Sequence, residues 1–426
     1  MWTAPQAGRI GRTRSGRHDG IGISVDGAPS TAYCAGTGAG RQHRPSRAPG
    51  GGSPEKYLKN LNLTVTGKGL DMNVIFTASK KSFFATIVLL FSLLLLSSCS
   101  HQKEKIFKDT RTSMYTVVSI TVVSADGQKA QKAINDSYDE LDRLARLLNF
   151  YSDSSEISMI NKAAGVKPVK VSKDTIDILE KSVYTSEMTE GAFDVTVGPL
   201  VKLWDLKKKI IPAKKEIEER QRIVGYKNIV IDRKASTVFL KKKGVQVDLG
   251  GIIKGYAVDQ VVRVLHQDGI SSGVISVGGE IRTLGKKPDG SLWTVGIQNP
   301  REKSPDDKII ATIDLSEKAL STSGDYIRYF EKNGVRYHHL LDPKTGYPSR
   351  QCGSATIIAN DNTTTDGFSK LFILGPEKGL AVAKRVGFDV LFIDCKGKVV
   401  MSDGLKNKIN FTDTGEFHIA RQAGKQ

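Results

Sequence analysis

A mixed α+β fold, with sheets and packed helices interleaved irregularly, is what this sequence predicts, and three observations carry the expectation. Runs alternating apolar with polar or small residues occur at 114–123, 293–298, 309–315 and 354–359, and they mark strands. Runs with apolar spacing of three and four occur at 134–148, 176–183 and 257–265, and they mark helices. The two kinds do not alternate regularly and hairpins occur beside crossovers, which argues against a doubly wound parallel sheet. The 426 residues supply ample length for a proper core.

Taken in order, residues 1–71 are rich in Gly, Arg, Ser and Pro, lack a sustained hydrophobic period, and cannot bury enough apolar surface to order themselves. They read as a disordered or non-native upstream extension, because Met72 begins a segment that makes sense only at an N-terminus. Lys80 and Lys81 precede fourteen residues, 83–96, that are almost all apolar. That run is too short to span a bilayer as a stable helix, but it suits the hydrophobic region of a signal peptide. Its ending, Leu96-Ser97-Ser98-Cys99, resembles the lipobox of bacterial lipoproteins, so residues 72–99 are expected to be a lipoprotein-type signal with Cys99 as the lipidated residue. The alternative is an ordinary signal peptide or short anchor. Either way the body is expected to be exported and, with the lipid, held on the periplasmic or outer face of a bacterial membrane.

A polar tether over 100–110 leads to the main domain, 111–415, and 416–426 is a tail. Within the domain the first strand covers 114–123, a helix carries Ile134 to Leu148 on one face, and a second helix starts at Ser172 as N-cap and stops at Gly191. The lysine-rich 207–243 region reads as a solvated helix and hairpin. A strand at 245–247 is expected to turn at Asp248-Leu249-Gly250-Gly251 into a helix that Gly269 ends, followed by a buried strand at 273–277.

Net charge is +18, of which +6 falls on residues 1–71 and +12 on the remainder, spread over many lysines. That distribution argues weakly for acidic ligands or a membrane surface. No zinc-finger spacing, RNA-binding signature or basic zipper accompanies it, so nucleic acid is not an expected partner. The four cysteines contain no CxxC pair. Cys352 and Cys395 either pair in an oxidising compartment or are buried thiols.

Three turns combine glycine or hydroxyls with one ionisable side chain. At 250–255, paired glycines, a helix start and Lys254 outline a phosphate cradle, although such turns also serve packing alone. Asp366 with Ser369 offers hard oxygens for Mg²⁺, or a helix cap. His339, three residues before Asp342-Pro343, is either a general base oriented by the carboxylate or a structural histidine.

Seven motifs in sequence order resolve these choices. They are Ser155-Glu156-Ile157-Ser158 with Asn161; Gly191-Ala192-Phe193-Asp194 through Trp204; Asp248 through Gly255; Ser276-Val277-Gly278-Gly279; Thr322-Ser323-Gly324-Asp325-Tyr326; His339 through Gly346; and Thr365-Asp366. Together they resemble the ApbE family of FAD:protein FMN transferases over roughly 110–415. The resemblance implies an enzyme that binds FAD with Mg²⁺, breaks the pyrophosphate, moves FMN onto a threonine or serine hydroxyl of a target protein and releases AMP. Acceptors would carry a pattern such as Asp-Gly-Ala-Thr/Ser-Gly-Ala-Thr, as membrane redox-complex subunits do; this chain lacks it.

Carried over residue by residue, the resemblance sets FAD against Tyr151, Ala192, Phe193, Asp194, Gly250, Gly251, Lys254, Gly255, Asp259, Gly278, Gly279 and Ser323. It sets Mg²⁺ against Gly251, Asp366 and Ser369, and deprotonation or orientation of the acceptor on His339, with Asp342 and Asp248 as second choices for base or orienting roles. Two positions depart from the family. Its usual Ser-Thr pair, whose threonine gives the metal an oxygen, is here Ser369-Lys370 followed by a one-residue shortening, and its Gly-Thr near the first strand is Tyr115-Thr116. The competing readings are a Mg²⁺-dependent FAD pyrophosphatase and a lipoprotein that binds FAD without cleaving it.

Overall fold

The computed structural model describes residues 103–301 and 309–412, with the backbone of 418–419. The upstream extension, the signal segment and most of the tail lie outside the described residues. In chain order the elements are β1 (Lys105–Ser113), β2 (Thr116–Ser124), α1 (Gly127–Leu147), α2 (Glu156–Lys162), β3 (Val169–Lys170), α3 (Lys173–Met188), α4 (Gly198–Val201) and α5 (Lys214–Gln221). Then come β4 (Ile229–Asp232), β5 (Thr237–Leu240), α6 (Ile253–Gln267), β6 (Gly273–Val277), β7 (Glu280–Leu284), β8 (Trp293–Gln298), β9 (Ile309–Leu315), β10 (Ala319–Gly324), β11 (Tyr329–Lys332) and β12 (Val335–His338). Last are β13 (Ser354–Ala359), α7 (Asn362–Phe368), α8 (Gly375–Val386), β14 (Asp389–Ile393), β15 (Lys398–Met401), β16 (Ile409–Phe411) and β17 (His418–Ile419).

Nine strands form the main sheet in the order β1-β2-β6-β7-β10-β13-β14-β15-β17, antiparallel except for the last pair. Strand β6 is apolar at nearly every position because both its faces are covered. Ile275 and Val277 pack with α1 and α6 residues such as Leu141, Ala257 and Val261. Val274 on the other face packs with Trp293, Val295 and Ile313 of the small β16-β9-β8 sheet. A further core joins Phe368, Leu371 and Phe372 to Val382, Val390 and Phe392 under the far half of the main sheet. The mixed α+β expectation therefore holds, with antiparallel pairing dominant.

Local chemistry explains the helix starts. Asp126, Ser155 and Ser172 cap α1, α2 and α3 by accepting backbone N–H bonds in the first turn. The Ser172 cap is as the sequence predicts. No helix is expected from the sequence at α2, because seven residues give too little period to read.

Two expectations fail. Residues 105–110, read as tether, belong to β1, an edge strand paired along its whole length with β2. Most of its side chains are exposed, so no buried stripe marks it in the sequence. Residues 245–247 are not a strand. They run extended beside residues 195–197, with one isolated bridge between Val197 and Gln246 and a bond from Asp248 N–H to Val195 carbonyl of 2.7 Å.

Helices α6 and α7 cross at Gly255. A Cβ built there would lie 2.0 Å from the Asn362 carbonyl oxygen and 2.7 Å from Asp366 Cβ. Neither neighbour can yield without moving a helix, so Gly255→Ala should destabilise by about 3 kcal/mol or more. A lowered denaturant midpoint with unchanged slope would report that loss.

Candidate functional site

The α6–α7 crossing brings four charges to one point. Lys254, in the first turn of α6, donates to Glu280 Oε1 at 2.6 Å and to Gly278 carbonyl at 3.2 Å. Glu280 opens β7 directly after the Gly278-Gly279 turn, whose φ values of 54° and 102° belong to the left-handed region. Its other oxygen accepts from the Ser321 hydroxyl of β10, and Ser321 lies 2.7 Å from the Thr365 hydroxyl of α7. Asp366 accepts from Gly255 N–H at 3.0 Å on Oδ2 and from Lys370 Nζ at 2.9 Å on Oδ1.

The Lys370 ammonium also donates to Asp366 carbonyl at 2.9 Å and Ser369 Oγ at 3.1 Å. Ser369 in turn donates to Asp366 carbonyl at 2.6 Å and shares a 2.7 Å bond with Ser323 Oγ of β10. Glu280 is 3% and Asp366 1% exposed, so both carboxylates depend on their partners. Burial opposes the charge on Asp366, but Lys370 and Lys254 outweigh it and hold the carboxyl below the usual range. Burial and the neighbouring Asp366 push Glu280 up. Burial likewise opposes the Lys254 ammonium, yet Glu280 and Asp366 keep it above its ordinary value.

Gly251 sits against this centre. A Cβ there would lie 3.1 Å from Lys370 Cε and 3.3 Å from the Phe193 ring. Phe193 and Ala192 are buried.

A second group adjoins the first. His339 follows the end of β12, and its N–H donates to Arg328 carbonyl at 3.2 Å. Its Nδ1 is buried with no hydrogen-bond partner. Burial first, then the positive charges of Arg328 and Lys370, hold the imidazole well below its ordinary pKa, so it is neutral at pH 7. Asp248 accepts from Gly250 N–H at 2.9 Å; burial raises its pKa, with Arg328 and Lys202 in opposition. Tyr151 is 73% exposed, and its ring packs edge-on against Phe150. Arg328 is exposed, influences Tyr151, Asp248 and His339, and has no ion pair among the described residues.

Lys254, Gly251, Phe193, Ser323, Asp366 and Ser369 therefore share one centre with His339 beside it, whereas several expected residues do other work. Asp194 spends both oxygens on Thr196 and on Tyr226 N–H. Asp259 accepts from Asn362 N–H, Thr363 N–H and the Thr363 hydroxyl, all within 2.8 Å, which ties α6 to the start of α7; burial raises its pKa to about 6. Asp342 accepts from Lys344 N–H in its own turn, and no hydrogen bond joins it to His339, so it does not orient that ring. Nor is the 250–255 cradle an array of free donors. The N–H groups of Gly250, Ile252, Ile253 and Gly255 go to Asp248, to Leu249 carbonyl twice, and to Asp366.

The donor set does not fit Mg²⁺ as expected. The oxygens of Asp366 and Ser369 assigned to the ion already surround the Lys370 ammonium. Among the described residues no three His, Cys, Asp or Glu side chains are grouped to hold a metal. Cys352 is buried, Cys395 exposed, and both are free thiols.

Sequence reasoning missed Glu280, Arg328 and Lys202. Glu280 had a signal, an acid opening a buried strand after Gly-Gly. Arg328 had none, because its place depends on the β11–β12 hairpin. Bidentate bonds from Arg301 to buried Asp325, at 2.7 and 2.9 Å, anchor that hairpin's base, with Arg336 3.3 Å away.

Residues 114–392 match the model of the ApbE family. An FAD:protein FMN transferase of Vibrio cholerae is 34% identical over 328 residues, 75% of this chain and 95% of the relative. Another from Haemophilus influenzae is 38% identical over 252 residues, 57% of this chain and 72% of the relative. Among solved structures, the ApbE protein of Thermotoga maritima aligns with a TM-score of 0.65 at 33% identity, covering 71% of this chain and 98% of that one. The flavin transferase ApbE of Vibrio cholerae aligns at 0.64 and 31%, covering 72% and 99%.

Proposed function

The chain belongs to the ApbE family, and on that premise we propose that it is an FAD:protein FMN transferase working at the Lys254–Glu280–Asp366–Lys370 centre. One observation carries the site assignment: a neutral histidine with a buried, unbonded nitrogen stands beside two lysine ammoniums held by buried carboxylates. A hydroxyl that must lose its proton while attacking a charged phosphorus needs both.

In this reading the acceptor threonine or serine oxygen attacks the phosphorus on the riboflavin side of FAD. A new P–O bond forms, the bond from that phosphorus to the bridging oxygen breaks, and AMP departs with the bridging oxygen. His339 takes the hydroxyl proton. Lys254 and Lys370 stand on the pyrophosphate charge, Phe193 and Tyr151 flank the ring systems, and Arg328 supplies an unpaired guanidinium at the mouth. Asp248 holds the turn at Gly250 and keeps its place as an alternative proton acceptor. The Mg²⁺ ion that the resemblance implies has no role in these steps, because Lys370 stands where it would bind.

We place the acceptors among membrane redox-complex subunits bearing the Thr/Ser pattern, and the enzyme itself on the outer or periplasmic face through a lipid at Cys99. Labelling cells with an alkyne fatty acid checks the anchor: label on the wild-type chain and none on Cys99→Ala is the expected pair.

The function is tested by incubating the purified chain with FAD and an acceptor peptide and weighing the products. A peptide heavier by one FMN, with equimolar AMP, is expected. Free FMN plus AMP with unmodified peptide would replace the transferase by a hydrolase, and intact FAD retained on the protein would leave only a binder. Arg328→Ala should raise KM for FAD by about tenfold with little change in kcat, the loss of one charge-assisted contact. Steady-state kinetics decide it.

A further inference from the structure

We propose that the Lys370 ammonium is this chain's built-in replacement for the divalent cation, so that FAD is bound and cleaved without added metal. The substrate is that of the transferase reading, on which this inference rests.

Geometry comes first. Nζ has three N–H donors and meets three oxygens, at 2.9, 2.9 and 3.1 Å, all from Asp366 and Ser369. Those are the two residues whose oxygens would otherwise face a metal. The lysine side chain is 14% exposed and stands four residues after Asp366, so it cannot withdraw far from the carboxylate it neutralises. Gly251 completes the fit: a Cβ there would press on Lys370 Cε at 3.1 Å, so the glycine leaves the stem its space.

Asp366 and Glu280 oppose Lys254 and Lys370, two against two, with each ammonium bonded to one carboxylate. The centre is balanced before a ligand arrives. An oxygen site that captures a divalent cation normally carries surplus negative charge. Adding such an ion here would place two more positive charges beside a partly buried ammonium and leave that ammonium without its acceptors. A pyrophosphate, by contrast, meets two lysines already held by buried carboxylates, with Arg328 and neutral His339 nearby. A tethered ammonium carries one charge where a metal carries two, and it polarises without coordinating. The expected enzyme is therefore slower than a metal-loaded one and indifferent to chelation.

The experiment uses the purified full chain stripped with EDTA. FAD affinity, read by flavin fluorescence, and AMP release, read by chromatography, are compared in excess EDTA and in millimolar Mg²⁺. Both are expected to agree within about twofold. Mn²⁺ added to the protein with FAD should give an undiminished free-ion paramagnetic resonance signal. Loss of binding or cleavage in EDTA with recovery in Mg²⁺, or stoichiometric Mn²⁺ uptake, overturns the proposal. Lys370→Gln should weaken FAD binding in EDTA by about tenfold or more while Lys370→Arg retains it; unchanged affinity in a folded Lys370→Gln also overturns it. Should that variant fail to fold, the wild-type measurements still decide. FMN transfer seen only with Mg²⁺ removes this inference and leaves the transferase. Metal-independent FAD binding and AMP release with no FMN on any acceptor do the reverse.

Discussion

Replacing Asp366 by alanine is expected to abolish FMN transfer and to lower the melting temperature by on the order of 10 °C. Both effects have one origin. The carboxylate is 1% exposed and holds Lys370 on one oxygen and the Gly255 N–H of α6 on the other. Without it a partly buried ammonium and a buried helix-start donor lose their acceptor, which costs about 3–5 kcal/mol. Asp366→Asn separates stability from chemistry. An amide oxygen still accepts from one donor, so part of the stability should return, but the negative charge that holds Lys370 does not. A folded Asp366→Asn protein with full transfer activity would remove this residue from the reaction. Calorimetry and peptide mass together make the measurement.

The second large effect is expected at His339. Removing the base by His339→Ala should lower kcat by about 10²–10⁴ while FAD binding changes little. Its buried Nδ1 makes no hydrogen bond within the protein, so the loss should fall on proton transfer more than on the fold. Stopped-flow FAD binding beside steady-state transfer separates the two.

The pH dependence carries a sign. Burial, Arg328 and Lys370 lower the folded-state pKa of His339 well below 6.5. The free base therefore persists through neutral pH, and the acid limb of the rate profile should fall below 6.5 rather than near 7. Stability follows the same direction. Below 6.5 the unfolded chain takes up a proton that the folded one refuses, so this histidine lowers stability as pH falls through that window. An acid limb centred above 6.5 would count against His339 as the base.

The sequence could supply these residues only as candidates. Period-two and period-three-to-four patterns located β6, α1, α3 and α6 because each buries a continuous stripe. They missed β1, whose exposed faces carry no stripe, and they misread 245–247, whose apolar alternation packs beside residues 195–197 without joining a sheet. Motif order named the family, Lys254, Asp366 and His339. It also gave roles to Asp194, Asp259 and Asp342, since an acid that closes a turn or caps a helix looks the same in sequence as one that faces a ligand.

What the sequence determined by itself is the family, the α+β class and part of the centre, Lys254, Asp366 and Ser369 with His339 beside them, because those depend on local periodicity and on motifs. Tertiary structure alone decided the pairing. Glu280 accepts from Lys254, 26 positions earlier, and Asp366 accepts from the Gly255 N–H, 111 positions away. Lys370, a bare departure from pattern in sequence, became the cation of the site only when its ammonium was seen among three oxygens. The physical reason is that a buried charge is defined by its partners, and partners so far apart in the chain meet only where α6 crosses α7.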